Sequence, residues 1–288
     1  MPEQSARTSI ITSLDDPRVE DYRSVRDRDA LGADGRPGLF VGETRLVVDR
    51  MLERPGCTRS VFVEARHASA MREAMDAAGR ADVPLYAADE TVLQAIAGFN
   101  VHRGVLAIGY RPDPSAMRLD AVLPSGSCTL LVCEGIANID NIGSLYRNAA
   151  AFGVDAVVLD HRCHDPLYRK SLRVSMGHAL SLPTVRAGAD EAGWLDALDR
   201  LRTEHRVRII GCGLRGPVCG RDAEPLDAIE PPERVAVLVG SEYDGLSENA
   251  LRRCDAIARI PMAPGIDSLN VAVAAAVCLH RFSRCVRR

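Results

Sequence analysis

Three short segments in the second half of the chain carry polar residues whose types and spacing could do chemistry. The first is Asn141-Ile142-Gly143-Ser144-Leu145-Tyr146-Arg147-Asn148. Asparagine is a good helix N-cap, so Asn141 and Gly143 also fit a plain turn into a helix. Arg147 is harder to place, because Leu145 and residues 149–152 around it are apolar. An arginine on a helix packed against a sheet needs a partner, either a structural carboxylate or a bound phosphate. The second segment is Leu238-Val239-Gly240-Ser241-Glu242. Here an apolar run ends in a glycine, which lets backbone approach a ligand closely. Glu242 could hold an arginine or an amide, and Ser247 fits a helix cap. The third is Ile260-Pro261-Met262, then a glycine-containing loop, then Ser268-Leu269-Asn270. Ser268 is placed to cap the last helix. The loop offers backbone and apolar walls with few charges, a slot suited to an adenine ring and a sulfonium.

These segments need elements to hold them. The apolar run 128–133 reads as a strand of a parallel sheet buried on both faces. A helix is expected over 141–152, a strand over 154–159 and a helix over 165–178. A helix over 191–203, strands over 207–210, 235–239 and 257–260, and a helix over 268–284 complete this half. Alternation of strand and helix predicts an α/β fold with crossover connections. Upstream, strands are expected at 39–41, 60–63, 84–86 and 104–109, and a helix at 65–78. Asp89 is expected to cap a helix running to 97, and Asp15 or Asp16 one that opens at Pro17. Residues 111–127 hold three prolines and two polar clusters, so they read as a linker. The domains expected are 1–112 and 127–288, joined by 113–126.

Composition narrows the classes. Hydrophobic residues make up 47% of the 288, enough for two packed cores. No apolar run reaches the length of a membrane span and the first residues are polar, so a cytoplasmic protein is expected. The nine cysteines form no CxxC pair. The cluster His161-Arg162-Cys163-His164 lacks a second half at zinc spacing, so no metal is expected. Net charge is −3, which sets no global basic field, and any RNA contact must come from a local face. Lys170 is the single lysine among the 36 Lys and Arg residues. Gly211-Cys212-Gly213-Leu214-Arg215-Gly216 fits a dinucleotide fingerprint, but Pro217, Gly220 and Asp222 follow where a helix would have to open. It is read as a turn.

Taken together, the N-x-G…R, G-x-E and S-x-N segments resemble the SpoU (TrmH-like) branch of the SPOUT RNA methyltransferases, over 127–288. Val174-Ser175-Met176-Gly177 and residues 165–173 look like that family's intermotif segment. The N-terminal part is similar to the L30e-like substrate-binding domain of many members. There His102-Arg103-Gly104-Val105-Leu106-Ala107 resembles the closing signature. The resemblance implies a C-terminal parallel sheet with a deep trefoil knot, which general rules of chain topology would not suggest. It also implies a homodimer, S-adenosylmethionine as cofactor, and methyl transfer to a ribose 2′-hydroxyl of rRNA or tRNA. Carried over by position, the catalytic residues would be Asn141, Arg147, Glu242, Ser268 and Asn270. Cofactor contacts would come from Val239, Gly240, Ile260, Met262 and Leu269. RNA contacts would come from Arg147, Arg169, Lys170 and Arg173. A base methyltransferase of the same superfamily and a non-catalytic RNA-binding protein are the alternatives.

Overall fold

The structure, a computed structural model, describes residues 8–25, 38–213, 222–241, 243–266 and 268–283. These residues form two units: Met1–Pro112 with Leu167–Leu180, and Asp113–Pro166 with Ser181–Arg288. Each carries its own sheet. No helix is long and apolar enough to cross a membrane among the described residues.

The first unit contains β1 (Ser9–Ile10), β2 (Leu39–Glu43), α1 (Arg45–Leu52), β3 (Thr58–Glu64) and α2 (Ala68–Ala77). It continues with β4 (Leu85–Ala88), α3 (Glu90–Ala97) and β5 (Val105–Tyr110). The sheet order is β1-β4-β3-β5-β2, with β5 antiparallel to both its neighbours and the other pairs parallel. Pro17 opens a 3-10 helix, Pro17–Tyr22, and the Asp16 side chain accepts from the Arg18 N–H as a cap. Asp89 stands at the cap position of α3 without a side-chain cap bond. The core gathers Tyr22, Phe62, Leu93, Ile96 and Leu106, with Tyr22 and Phe62 edge to face.

The second unit opens with the short helix α4 (Leu119–Val122), inside the segment expected as linker. Then come β6 (Cys128–Cys133), α5 (Ile139–Ala151) and β7 (Ala156–Leu159). The next helix, α6 (Arg169–Val174), belongs to the first unit. The chain continues with β8 (Thr184–Arg186), α7 (Glu191–Thr203), β9 (Arg208–Gly213), β10 (Glu224–Pro225) and β11 (Arg234–Val239). It ends with α8 (Glu248–Leu251), β12 (Ala256–Arg259) and α9 (Val271–Phe282). The sheet is parallel throughout, in the order β10-β12-β9-β11-β6-β7-β8. All six residues of β6 are buried, as its apolar run requires. Trp194 of α7 is fully buried against this sheet.

Several expected boundaries shift for local reasons. Asn138, not Asn141, caps α5, accepting from the Asp140 and Asn141 N–H groups at 2.9 and 3.1 Å. Asn270, not Ser268, caps α9, accepting from Ala272 and Val273 at 2.9 and 3.4 Å. The helix expected over 165–178 shrinks to α6 plus a 3-10 turn, His178–Leu180, with Met176 (φ 55°) and Gly177 (φ 78°) left-handed between them. Residues 167–180, expected with the second domain, are tied into the first unit. The Arg169 guanidinium pairs with Glu43 of β2, and the Arg50 Nε donates to the Met176 carbonyl at 2.7 Å. In the GxGxxG stretch, Gly211 and Gly213 lie within β9, and Leu214 to Gly216 lie outside the described residues. An added Cβ at Gly211 would fall 2.8 Å from Cys254 Sγ, so packing explains that glycine.

Candidate active site

The seven-stranded sheet changes direction between β6 and β11. After β6 the chain builds outward through β7 and β8, while β9, β11 and β12 lie on the other side. Ligands of open α/β sheets sit beyond the carboxyl ends of strands at such a switch point. Two of the three segments start there. Val239 pairs with Cys133 in register, and the Glu134 N–H donates to the Val239 carbonyl at 2.9 Å. Glu134 and Gly240 therefore leave the sheet side by side.

Gly240 is required by its own loop. Ser241 and Gly245 exchange backbone hydrogen bonds at 3.1 Å, which folds the loop back over Gly240. A Cβ at 240 would lie 2.2 Å from the Gly245 carbonyl carbon and 2.4 Å from the Leu246 nitrogen. Both are backbone atoms and cannot swing aside. Gly240→Ala is thus expected to destabilise the protein by about 2 kcal/mol, read from denaturant midpoints. An unchanged midpoint would show that the loop gives way freely. Glu242 lies outside the described residues.

The buried carboxylate that anchors this loop is Glu134, a residue the sequence reading left without a role. It is 2% exposed. Its Oε1 accepts from Trp194 Nε1 at 3.1 Å and from Ser247 Oγ at 2.7 Å, and its Oε2 accepts from the Ser247 N–H at 2.8 Å. The signal was present: a carboxylate directly after a fully apolar strand must find donors. Ser247 also caps α8, accepting from the Ala250 N–H at 3.1 Å.

The loop after β7 is held in the same way. Asp160 is fully buried and accepts from the Arg162 and Cys163 N–H groups and from Arg162 Nε, at 3.1, 2.9 and 3.0 Å. Arg162 also lies 3.6 Å from Glu134, linking the two buried carboxylates. Arg186 donates to the carbonyls of Asp160 and Cys163, each at 3.0 Å. Cys163 is buried, donating to the Cys133 carbonyl, and burial first, then Asp160 beside it, pushes its thiol pKa well up. Burial alone would raise the Asp160 pKa. Hydrogen bonds from the Gly135 backbone, Cys163 and Arg162 outweigh it and hold the carboxyl below its usual range. A native value below the unfolded one stabilises the fold above about pH 4, and that contribution is lost as pH falls through the native value. The melting temperature of the unaltered protein should therefore fall more steeply between about pH 5 and pH 3 than that of Asp160→Asn. Equal slopes would remove Asp160 from the linkage.

The first and third segments meet through their asparagines. Asn270 Nδ2 donates to Asn141 Oδ1 at 2.9 Å, across 129 positions of sequence. Asn141 is 9% exposed, in the first turn of α5. Two turns on, Asn148 Nδ2 donates to the Ala272 carbonyl at 2.8 Å. The start of α9 is thus fastened to α5 at two points. Both ends of the Asn270 amide are engaged, one as cap and one on Asn141, so Asn270 holds position. Ser268 is exposed and makes no hydrogen bond among the described residues.

Arg147 does not take the buried place its neighbours suggest. Asn141, Ile142, Leu145, Tyr146 and Ala149 form the buried face of α5. Asp140, Ser144, Arg147 and Ala151 form the outer stripe, and Arg147 is exposed. Among the described residues it has no hydrogen bond or ion pair. Ile260 and Met262 are half-buried beyond β12, while Ile266 and Leu269 are 52% and 40% exposed. Arg169, Lys170 and Arg173 lie on α6 in the first unit. There Arg169 is only 14% exposed, paired with Glu43, and its guanidinium lies 4.1 Å over the Phe99 ring.

Comparison with known proteins establishes the family. The chain is 39% identical, over 94% of its length and 90% of the relative's, to a protein of Mycobacterium tuberculosis described as an uncharacterized tRNA/rRNA methyltransferase. It is 28% identical to the 23S rRNA (guanosine-2′-O-)-methyltransferase RlmB of Bordetella pertussis, over 83% of this chain and 94% of RlmB. A crystal structure of an RNA 2′-O ribose methyltransferase superposes with a TM-score of 0.71 at 26% identity, over 94% of this chain and 97% of that one. The SpoU methyltransferase AviRb of Streptomyces viridochromogenes shares the fold with a TM-score of 0.74 at 21% identity, over 94% and 97% of the two chains. Residues 129–280, just over half of the chain, match the SpoU rRNA Methylase family, and the chain is a member of that family of tRNA/rRNA methyltransferases.

Proposed function

We propose that this protein transfers the methyl group of S-adenosylmethionine to a ribose 2′-hydroxyl of rRNA or tRNA. The observation that carries the reading is the Asn141–Asn270 hydrogen bond, which fastens the third segment to a helix whose unpaired Arg147 faces solvent. The residues present fit the cofactor. Val239 ends β11 and Gly240 follows it, Ile260 follows β12, and β9 lies between these strands. Backbone at Gly240, Ile260, Met262 and Leu269 would hold it, with the exposed Ile266 and Leu269 side chains as apolar walls. When bound, S-adenosylmethionine supplies an electrophilic methyl on a sulfonium, attacked in line by the ribose oxygen.

The chain's own contribution is alignment and charge. Glu134 and Asp160 fix the loops at the carboxyl edge, so no reorganisation is needed when substrate arrives. Arg147 offers a planar guanidinium fork suited to two-point contact with a phosphate. It binds the phosphate beside the target ribose, orients the 2′-hydroxyl and stabilises the negative charge that grows on its oxygen. Asn141 and Asn270 hold the start of α9, and Ser268, beside it, has its hydroxyl free to contact RNA or cofactor. Glu242 belongs to this reading through its place after Gly240.

The same reading includes a trefoil knot through the segments after β11 and β12, supported by the return of α9 to α5. It includes a homodimer. Val273 and Val277, one turn apart on α9, are 49% and 36% exposed, and Leu269 just ahead of the helix is 40% exposed, apolar surface that a second copy would cover. It also makes the first unit an L30e-like RNA-binding domain, with Lys170 and Arg173 among its contacts. The test is incubation with methyl-labelled S-adenosylmethionine and total rRNA or tRNA, then digestion to nucleosides. A 2′-O-methylnucleoside is expected, and label on a base would overturn the reading.

A further inference from the structure

The loop that follows β11 carries a bare aromatic ring at its tip. Tyr243 is 98% exposed and has no hydrogen bond, ion pair or ring contact among the described residues. Tyr110, the other exposed aromatic among them, is 46% exposed, with the Arg59 guanidinium 6.0 Å from its ring centre. A single exposed aromatic is ordinary on a protein surface. The place of this one is not. Gly240 follows β11 at the carboxyl edge of the sheet, and Ser241 Cβ stands 3.6 Å from where a Cβ on Gly135 would lie. Gly135 belongs to the loop that leads into α5, the helix of Asn141 and Arg147. Tyr243 therefore sits on a loop that borders the crevice assigned to methyl transfer, within one unit.

The loop holds the ring out and holds it still. Ser241 and Gly245 exchange backbone hydrogen bonds at 3.1 Å, and the Asp244 N–H donates to Ser241 Oγ at 3.1 Å. Gly245 is left-handed (φ 68°), which turns the chain back, and Leu246 beyond it packs on the core. Ser247 then ties the loop to the buried Glu134. A tyrosine on such a turn loses little freedom when it is covered, so its ring offers contact area at low entropic cost. The flanking residues narrow what can cover it. Glu242 and Asp244 are acidic, so the tip repels phosphate. The flat face of an uncharged base meets no such repulsion, and every base has one. S-adenosylmethionine needs an enclosed slot, and a ring 98% exposed walls none.

We propose that Tyr243 stacks on a base of the bound RNA at the methylated site, and that the protein thereby selects a nucleotide whose base is out of the helical stack. The proposal rests on the reading that the substrate is RNA, and it names the kind of RNA: a single strand or a loop. The reaction alone does not impose that choice. A 2′-hydroxyl is displayed in the minor groove of an RNA duplex as well as in a loop, whereas base faces are covered in the duplex and free only when unstacked. Arg147 grips backbone, which both forms share. Tyr243 is the group that tells them apart.

The test is fluorescence anisotropy of the full chain with a labelled single-stranded RNA oligonucleotide, and with the same strand annealed to its complement. It compares the unaltered protein with Tyr243→Ala, Tyr243→Leu and Tyr243→Phe. Affinity for the single strand should fall about tenfold in the alanine and leucine variants. Phenylalanine keeps the ring and should keep the affinity. Affinity for the duplex should be the same in every variant. The slope of log affinity against log salt should not change, because no phosphate contact is lost. Melting temperature should stay within about 2 °C, since the side chain has no partner among the described residues. Affinity for S-adenosylmethionine, by calorimetry, should hold. Unchanged single-strand affinity in Tyr243→Ala would overturn the proposal. So would an equal loss on the duplex, a loss of cofactor affinity, or a smaller oligomer in that variant, which would set the ring against a second copy. Failure of the methylation reading looks different: Tyr243-dependent binding persists while no RNA accepts a methyl group from the unaltered protein.

Discussion

Replacement of Arg147 by alanine is expected to lower single-turnover methyl transfer by about 10²–10³-fold, the usual loss when one preorganised donor to a developing oxyanion is removed. The fold should be indifferent. Arg147 lies on the outer stripe of α5 with no partner among the described residues, and exposed substitutions of this sort change stability by about 0.5 kcal/mol or less. Affinity for S-adenosylmethionine should also hold, because the cofactor contacts are assigned to β11, β12 and the loop before α9. Arg147→Lys should recover only part of the rate, since an ammonium keeps the charge but not the planar fork that grips a phosphate at two points. Near-normal transfer by the alanine variant would take the guanidinium out of the mechanism. A large drop in melting temperature would instead point to a structural role that its exposure argues against.

Glu134→Ala should produce the largest loss of stability, about 3 kcal/mol, or roughly 6–12 °C in melting temperature for a domain of this size. The cost comes from what is left behind. The Trp194 indole N–H, the Ser247 N–H and the Ser247 hydroxyl all point at the Glu134 carboxylate. Without it they are donors in a site that water enters poorly, and Arg162 loses one of its two carboxylates. Glu134→Gln keeps the shape but turns one acceptor into a donor, so an intermediate drop is expected. Because Ser247 anchors the loop that starts at Gly240, the alanine variant should also bind S-adenosylmethionine less tightly by calorimetry. A shift in melting temperature under about 2 °C would show that the loop is held by other contacts.

The order of elements was largely readable because the central strands of the second sheet, β6 and β11, are near-continuous apolar runs. β6, β11 and α7 fall where such runs and their capping residues put them. The strands that went unread, β1, β8 and β10, are two or three residues long and lie at sheet edges or next to them. Too few of their residues are buried to leave a pattern. Helix starts were misplaced where two capping residues competed. Asn138 and Asn141, or Ser268 and Asn270, are equivalent by type, and only the path of the chain into the helix selects one. Of the candidate site, Asn141, Gly240 and Asn270 are reached through the family resemblance. Glu134 could not be assigned a role, because its donors come from 60 and 113 residues away.

Residue types and their order therefore determined the family, the alternation of strand and helix, and the polar set available for chemistry. These are local or cumulative properties, written in short windows. Only the tertiary structure decided which polar groups are spent on holding the scaffold and which are left over. Arg147 and Arg169 look alike in sequence, each an arginine on a helix. The turn of α5 exposes the first, while α6 buries the second on Glu43 and Phe99. A charge becomes available for substrate when the fold brings it no partner, and partners arrive from strands and loops far away in the chain.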